Sequence, residues 1–212
     1  MSPLDKFLWD EETGRGYYPV HEFVYDDKYF DKYVGYADTP IGKKLLKFRL
    51  QVAEPYAKDG GVLDIGIGSG AFVGQFNGRS AGYDVNPSAI EYLKKRNKWC
   101  DFYNDSLDKF SVITFFDSLE HIDKLEDALK RITHQHIVIS IPIFRNREHV
   151  LKSKHFRMDE HFHYFTRDGF VQFMNDQGFS LCEQSDGEIK SGREDIYTFV
   201  FKRIKYEEKI PG

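Results

Sequence analysis

From residue 61 onward, short unbroken apolar runs alternate with segments whose apolar residues recur every three or four positions. That is the pattern of buried strands alternating with the helices that cover them. Val62, Leu63 and Ile65 predict a strand over 61–65, and a short helix is expected over 71–77. Ser80–Val85 reads as a second strand carrying Asp84 at its end, after which Asn86-Pro87 caps a helix bearing Ile90, Tyr92 and Leu93. Residues 99–104 suit a third strand and 111–116 a fourth; the link between them is too short for a crossover helix. Asp123-Lys-Leu-Glu126 has the form of a capping box, opening a helix with Leu125, Ala128, Leu129 and Ile132 inward. His136–Ile143 is nearly all apolar, as expected of a strand covered on both faces. Thr166 then caps a helix bearing Phe170, Phe173 and Met174, which stops at Gly178. Phe179–Gln184 and Ile196–Phe201 read as a closing hairpin. The order predicts an α/β fold: seven strands, mostly parallel, with one antiparallel edge strand and helices on both faces.

The first part of the chain is different. Residues 1–37 show no period and are crowded with aromatics, Phe7, Trp9, Tyr17, Tyr18, Tyr29, Phe30 and Tyr33 among them. They are expected to hold little regular structure or short helices. The division is thus an extension over 1–38 and a main domain over 39–212. The extension's aromatics either fill a secondary core or, through Tyr17, Tyr18, Tyr29 and Tyr33, form a lid that excludes water and faces a flat substrate. Thr39-Pro40 opens a helix with the stripe Ile41, Leu45, Leu46, Val52, Ala53 and Tyr56, ending near Lys58-Asp59-Gly60-Gly61.

Composition narrows the classes. A chain of 212 residues suits one domain with a small elaboration, and a formal charge of −4 gives no electrostatic reason to bind nucleic acid. Cys100 and Cys182 form no CxxC pair, which excludes a disulfide framework and a thiolate zinc site and suits a reducing cytoplasm. The first residues lack the basic and apolar regions of a signal peptide, and no apolar run is long enough to span a bilayer.

The chemistry starts at VLDIGIGSG, residues 62–70. Asp64 is followed by Gly66, Gly68 and Gly70, so the chain must turn with a backbone bare enough for a ligand to approach. Asp84 ends the next strand, where a carboxylate can accept from both hydroxyls of a ribose. Asp105 ends the expected third strand beside the same crevice. The letters also satisfy GxGxxG/A, the nicotinamide fingerprint, but the chain is short for a dehydrogenase with a substrate domain. Acids at strand ends also cap helices and solvate turns.

VLDIGIGSG resembles the first motif of class I S-adenosylmethionine-dependent methyltransferases, and YDVNPSAI their second. FFDSLEHI and HFHYFTRDGFVQFMNDQGF resemble segments of the subgroup that includes quinone-biosynthesis (type 11/23) small-molecule enzymes. The likeness covers roughly residues 45–203 and implies a Rossmann-like sheet and S-adenosylmethionine as cofactor. It implies that Asp64, Ile65 and the loop Gly66, Gly68, Gly70 hold the methionine end, that Asp84 with Val85 holds the ribose and Asp105-Ser106 the adenine. Phe116, Asp117 and Ser118 would line the sulfonium side.

The methyl donor arrives activated, so the enzyme has mainly to orient the acceptor, exclude water and take a proton. His121, beside Glu120 just past the fourth strand, is the best-placed imidazole, although both residues could equally cap the next helix. In some quinone-type relatives the counterparts of Asp117, Glu120 and His121 are thought to bind a divalent metal; three such ligands without a fourth do not make a site, and none is expected here. His161 and His163 alternate with Phe162 and Tyr164, so one pair could face the cleft; the segment is either a loop with satisfied histidines or, with Arg145, Arg147 and Arg157 nearby, an acceptor pocket preferring a negative or polar substrate. The resulting expectation is a methyltransferase acting on oxygen or nitrogen of a small molecule. A tRNA methyltransferase and a non-catalytic cofactor-binding regulator are the alternatives. Phe116-Asp117-Ser118-Leu119 lacks the Pro-Pro-aromatic signature of amino-methylating DNA enzymes, and neither cysteine follows a proline as in cytosine-C5 enzymes.

Overall fold

The computed structural model describes residues 3–19, 23–57 and 60–204. In chain order it contains β1 (Leu8–Asp10), β2 (Arg15–Tyr17), α1 (Asp27–Ala37), α2 (Pro40–Ala53), β3 (Gly61–Ile65), α3 (Ala71–Gln75), β4 (Arg79–Tyr83), α4 (Pro87–Lys95), β5 (Val112–Phe116), α5 (Leu125–Lys130), β6 (His136–Phe144), α6 (Arg147–Lys152), β7 (His163–Thr166), α7 (Arg167–Asp176), β8 (Phe179–Ser185), α8 (Gly187–Lys190) and β9 (Ile196–Arg203). Lys58 and Asp59, at the expected end of the helix before β3, lie outside the described residues.

The expected α/β architecture is present. β4, β3, β5 and β6 pair in parallel in that order. β9 pairs antiparallel with both β6 and β8, so the antiparallel strand lies one place in from the edge that β8 forms. Alternate side chains divide between two cores. Leu63, Ile113, Ile137 and Phe201 join one apolar cluster, while Val62, Val112, Val138 and Val200 join the other. Every central strand therefore had to be apolar on both faces. Thr39, Asn86 and Thr166 cap α2, α4 and α7 as expected, accepting from Gly42, Ser88 and Gly169 at 3.1, 2.9 and 3.1 Å.

Other details differ. The third strand shrinks to one parallel bridge between Trp99 and Gly82. The Asp101 carboxylate accepts from the N–H groups of Tyr103 and Asn104, and Asp105 accepts from Asp101, so side chains win the backbone into a turn. The capping box does not form: α5 starts at Leu125 with no side-chain cap, and Asp123 instead accepts from the Tyr17 hydroxyl at 2.9 Å. The N-terminal extension is more regular than expected. β1 and β2 form a hairpin whose inner strand pairs with β7, and β7 joins the carboxyl end of β6 in parallel, bringing the sheet to nine strands. Phe7 and Tyr18 fill a satellite core with Phe144, Val150 and Tyr164. Among the described residues, no helix is long and apolar enough to cross a membrane.

Candidate active site

The turn after β3 places Gly66, Gly68 and Gly70 at φ of +76°, +54° and +73°, a region that L side chains rarely adopt. The three glycines serve different ends. A Cβ on Gly66 would lie 2.5 Å from Ser118 and one on Gly70 2.4 Å from the Tyr92 ring, so both are needed for packing. At Gly68 the nearest atom is a Tyr33 ring carbon 3.9 Å away, leaving bare backbone at a cavity of about 760 Å³.

This cavity lies at the carboxyl ends of β3, β4 and β5, roofed by α1 and α2. Asp64, Ile65, Gly66, Gly68, Asp84, Val85, Phe116, Asp117 and Ser118 line it, and Gly70 does not. Asp64 is only 2 % exposed and accepts from the Thr114 hydroxyl at 2.6 Å. Burial pushes its carboxyl up to about 7, against the pull of that hydrogen bond and of Arg49. Asp84 accepts from the Asn86 N–H at 2.8 Å; burial raises its pKa while that N–H and those of Ile67, Val85 and Gly68 oppose the rise. Two desolvated carboxylates beside a bare loop favour a ligand that is cationic and rich in hydroxyls. Among the described residues the lining Lys and Arg side chains are Arg49, already paired, and Lys124.

Asp105 and Ser106 are not brought to the cavity. The Asp105 carboxylate is turned onto the Asp101 N–H at 2.8 Å and the Ser106 hydroxyl onto Asp108 at 2.9 Å. The wall there consists of Tyr83, Val85 and Tyr103, the two rings edge to face at 5.6 Å.

Asp117, at φ +58°, carries a network that the sequence does not announce. Its Oδ2 accepts from Arg49 and Arg193, each at 2.6 Å, and both guanidinium groups also bind the fully buried Glu188, at 2.7 Å. The two arginines hold the Asp117 carboxyl well below its usual range, against burial. Arg49 also lies over the Phe116 ring, 4.7 Å from its centroid. These partners come from α2, α8 and the loop before β9, so no local spacing could have linked them.

At the other end of the cavity a single 3-10 turn, Leu119–His121, follows β5. Of the four residues expected to do acid–base work, His121 alone lines the cavity, its Nδ1 lying 3.3 Å from the Tyr25 hydroxyl. Burial lowers its pKa to about 4, so the imidazole is neutral near pH 7 and has a lone pair to offer. His161 lies behind it, edge to face at 4.6 Å and 3 % exposed, with Nδ1 unpartnered. Glu120 is 1 % exposed, both carboxyl oxygens lack a partner, and burial with nearby Asp117 pushes its pKa up to about 8. Donor atoms of Glu120, His121 and His161 lie within 4.8 Å of one another, whereas the arginines hold Asp117 in a separate network. His163 packs away, its Nε2 at 3.0 Å from the carbonyl oxygens of Ile122 and Asp123. Phe162, not a histidine, reaches the cavity from that segment. Arg145, Arg147 and Arg157 do not line it either, and Arg157 is paired with Glu160.

The extension's aromatics fall in two places, and of the four tyrosines expected in a lid only Tyr29 and Tyr33 line the cavity, Tyr17 donating to Asp123 and Tyr18 packing in the satellite core. Phe7 and Tyr18 belong to the satellite core, while Tyr25, Tyr29, Phe30, Tyr33 and Tyr36 line the cavity. No motif in the sequence marks Tyr25, Phe30, Tyr36 or Arg49 as a site residue; only the N-terminal excess of aromatics signals the first three.

The glycine loop, acids at the ends of adjacent strands and an open parallel sheet define a class I, Rossmann-like transferase site. The sequence profile of the methyltransferase domain matches residues 35–184, and the chain belongs to that family. It is a methyltransferase. Solved structures agree in fold. The 1,6-didemethyltoxoflavin-N1-methyltransferase of Burkholderia thailandensis, bound to 1,6-didemethyltoxoflavin and S-adenosylhomocysteine, superposes with a TM-score of 0.57 at 14 % identity, over 94 % of this chain and 99 % of that one. The N-methyltransferase NodS of Bradyrhizobium japonicum gives 0.58 at 16 %, over 80 % and 99 %. Magnesium protoporphyrin IX methyltransferase of Synechocystis gives 0.58 at 12 %, over 84 % and 95 %. No curated protein matches the chain in sequence.

Proposed function

We propose that this enzyme methylates oxygen or nitrogen of a small-molecule acceptor that binds between the α1 tyrosines and His121. The observation that carries the reading is one continuous cavity, with the glycine loop and two desolvated carboxylates at one end and a neutral imidazole at the other. When bound, S-adenosylmethionine supplies an activated methyl group on a cationic sulfur. Asp64 holds the amino group of its methionine end and Asp84 the ribose hydroxyls, while Tyr83, Val85 and Tyr103 replace Asp105-Ser106 as the adenine wall. Phe116 and Ser118 line the sulfonium side, and Asp117 shapes that wall through its two arginines. His121 takes the acceptor's proton, and Tyr29, Phe30 and Tyr33 keep water out.

A small acceptor is favoured over tRNA because, among the described residues, the cavity wall offers one uncommitted Lys or Arg, Lys124, and the chain carries a net charge of −4. Two measurements test the proposal. S-adenosylhomocysteine should raise the melting temperature where NAD does not, since a ligand that binds only the native state stabilises it. Turnover should then appear across a panel of catechols, amines, carboxylates and sugars, and vanish in His121→Ala with cofactor affinity kept. Stabilisation by NAD alone would defeat the assignment; cofactor binding with no turnover on any acceptor class would favour the regulatory alternative.

A further inference from the structure

α1 forms the roof of the cavity, yet none of its residues is fully buried, so apolar packing alone holds it weakly. Specific contacts pin its start. Asn86, whose backbone N–H binds Asp84, donates through Nδ2 to the Asp26 carbonyl at 3.0 Å. Ser88 donates to Asp27, and Asp26 caps α1 by accepting from Tyr29 at 2.9 Å. This tether lies on the α4 side. On the far side, Tyr25 reaches across to His121. Phe23 and Tyr29 hold its ring edge to face at 4.7 and 5.1 Å, while Val24 between them is 75 % exposed.

We propose that residues 23–37 form a lid over the cavity, tethered at Asn86 and Ser88 and latched by the Tyr25 hydroxyl on His121 Nδ1. The idea rests on the reading of His121 as the proton acceptor. With the latch closed, the Tyr25 hydroxyl occupies His121 Nδ1, the nitrogen that the reaction needs, and Tyr25 stands where the acceptor's N–H or O–H would approach. An arriving acceptor takes over that hydrogen bond, and the lid has to shift to admit it. Tyr25 is therefore a positioning and gating residue. It does not give up its own proton in the reaction. Because the tether shares Asn86 with the ribose-binding carboxylate, the lid is joined to the cofactor end of the site as well.

Hydrogen exchange of residues 27–37 in the full chain, without an acceptor, reads the latch directly. Tyr25→Phe removes one hydrogen bond worth about 1 kcal/mol, so exchange there should quicken about fivefold while the β3 amides stay unchanged. His121→Phe should have the same effect from the other side, and the double variant should be no faster than either single one, since both remove the same contact. The Nδ1 nitrogen resonance of His121 should shift in Tyr25→Phe. Unchanged exchange in Tyr25→Phe, or additive effects in the double variant, would overturn the latch. Saturating S-adenosylhomocysteine serves as a separate probe. If it fails to bind, the cofactor assignment falls, while the latch is still judged from the ligand-free exchange rates.

Discussion

Replacing Asp64 by Asn keeps the shape of the side chain and lets Thr114 continue to donate to an oxygen, but removes the negative charge that faces the cavity. A charge-assisted hydrogen bond is worth about 1.5–3 kcal/mol, so S-adenosylhomocysteine should bind Asp64→Asn about 10- to 150-fold more weakly. The pH dependence is the sharper test. Burial raises the free carboxyl to about 7, and only the ionised form pairs with the ligand's ammonium group. With roughly one tenth of the sites ionised at pH 6 and nine tenths at pH 8, affinity should rise about tenfold across that interval, and binding at pH 7 should release about half a proton. In Asp64→Asn both signatures should be absent. The sign for the ligand-free fold is opposite. A carboxyl whose folded pKa lies above its unfolded value favours the native state below about pH 4, and that contribution is lost by pH 7, a difference of about 4 kcal/mol. At pH 8 the variant should therefore be no less stable than the parent. Calorimetric titration in two buffers of different ionisation enthalpy, with urea melts at pH 5 and pH 8, measures all of this. A flat pH profile in the parent, or equal affinity in the variant, would refute the assignment of Asp64 to the amino group.

Further outcomes follow from other parts of the site. Glu120, raised to about 8 and without hydrogen-bond partners, should cost stability as pH climbs through 8, so urea midpoints should fall between pH 6 and pH 9 in the parent and much less in Glu120→Gln. Arg193→Ala leaves Glu188 buried with a single cation and should destabilise by about 3–5 kcal/mol, a drop of roughly 10 °C in melting temperature by calorimetry. Gly68→Ala and Gly70→Ala should differ in kind: both strain a left-handed backbone, but the first mainly places a methyl group at the cavity and weakens cofactor affinity, while the second also drives a Cβ into Tyr92 and lowers the melting temperature further. Parallel thermal melts and ligand titrations would compare the two.

The sheet and the glycine-loop end of the cavity were legible in the chain itself, because their determinants are local. An apolar run specifies a doubly covered strand, a proline after Thr39 or Asn86 specifies where a helix starts, and three alternating glycines force a bare turn next to whichever acid precedes it. Asp64 and Asp84 could be found together because parallel strands end on the same side of the sheet. The choice between competing local signals was not legible. Asp101 and Asp105 turned an expected strand into a loop, and Tyr17 drew Asp123 away from its helix. The rest of the cavity wall was decided by tertiary structure alone, since Arg49 and Asp117 meet the Glu188–Arg193 segment across long sequence separations and Tyr25 reaches a histidine 96 residues away. Burial then set the charges of these groups. Neutral His121 and a raised Asp64 both result from desolvation, which depends on the residues that close over a side chain and not on those beside it in the chain.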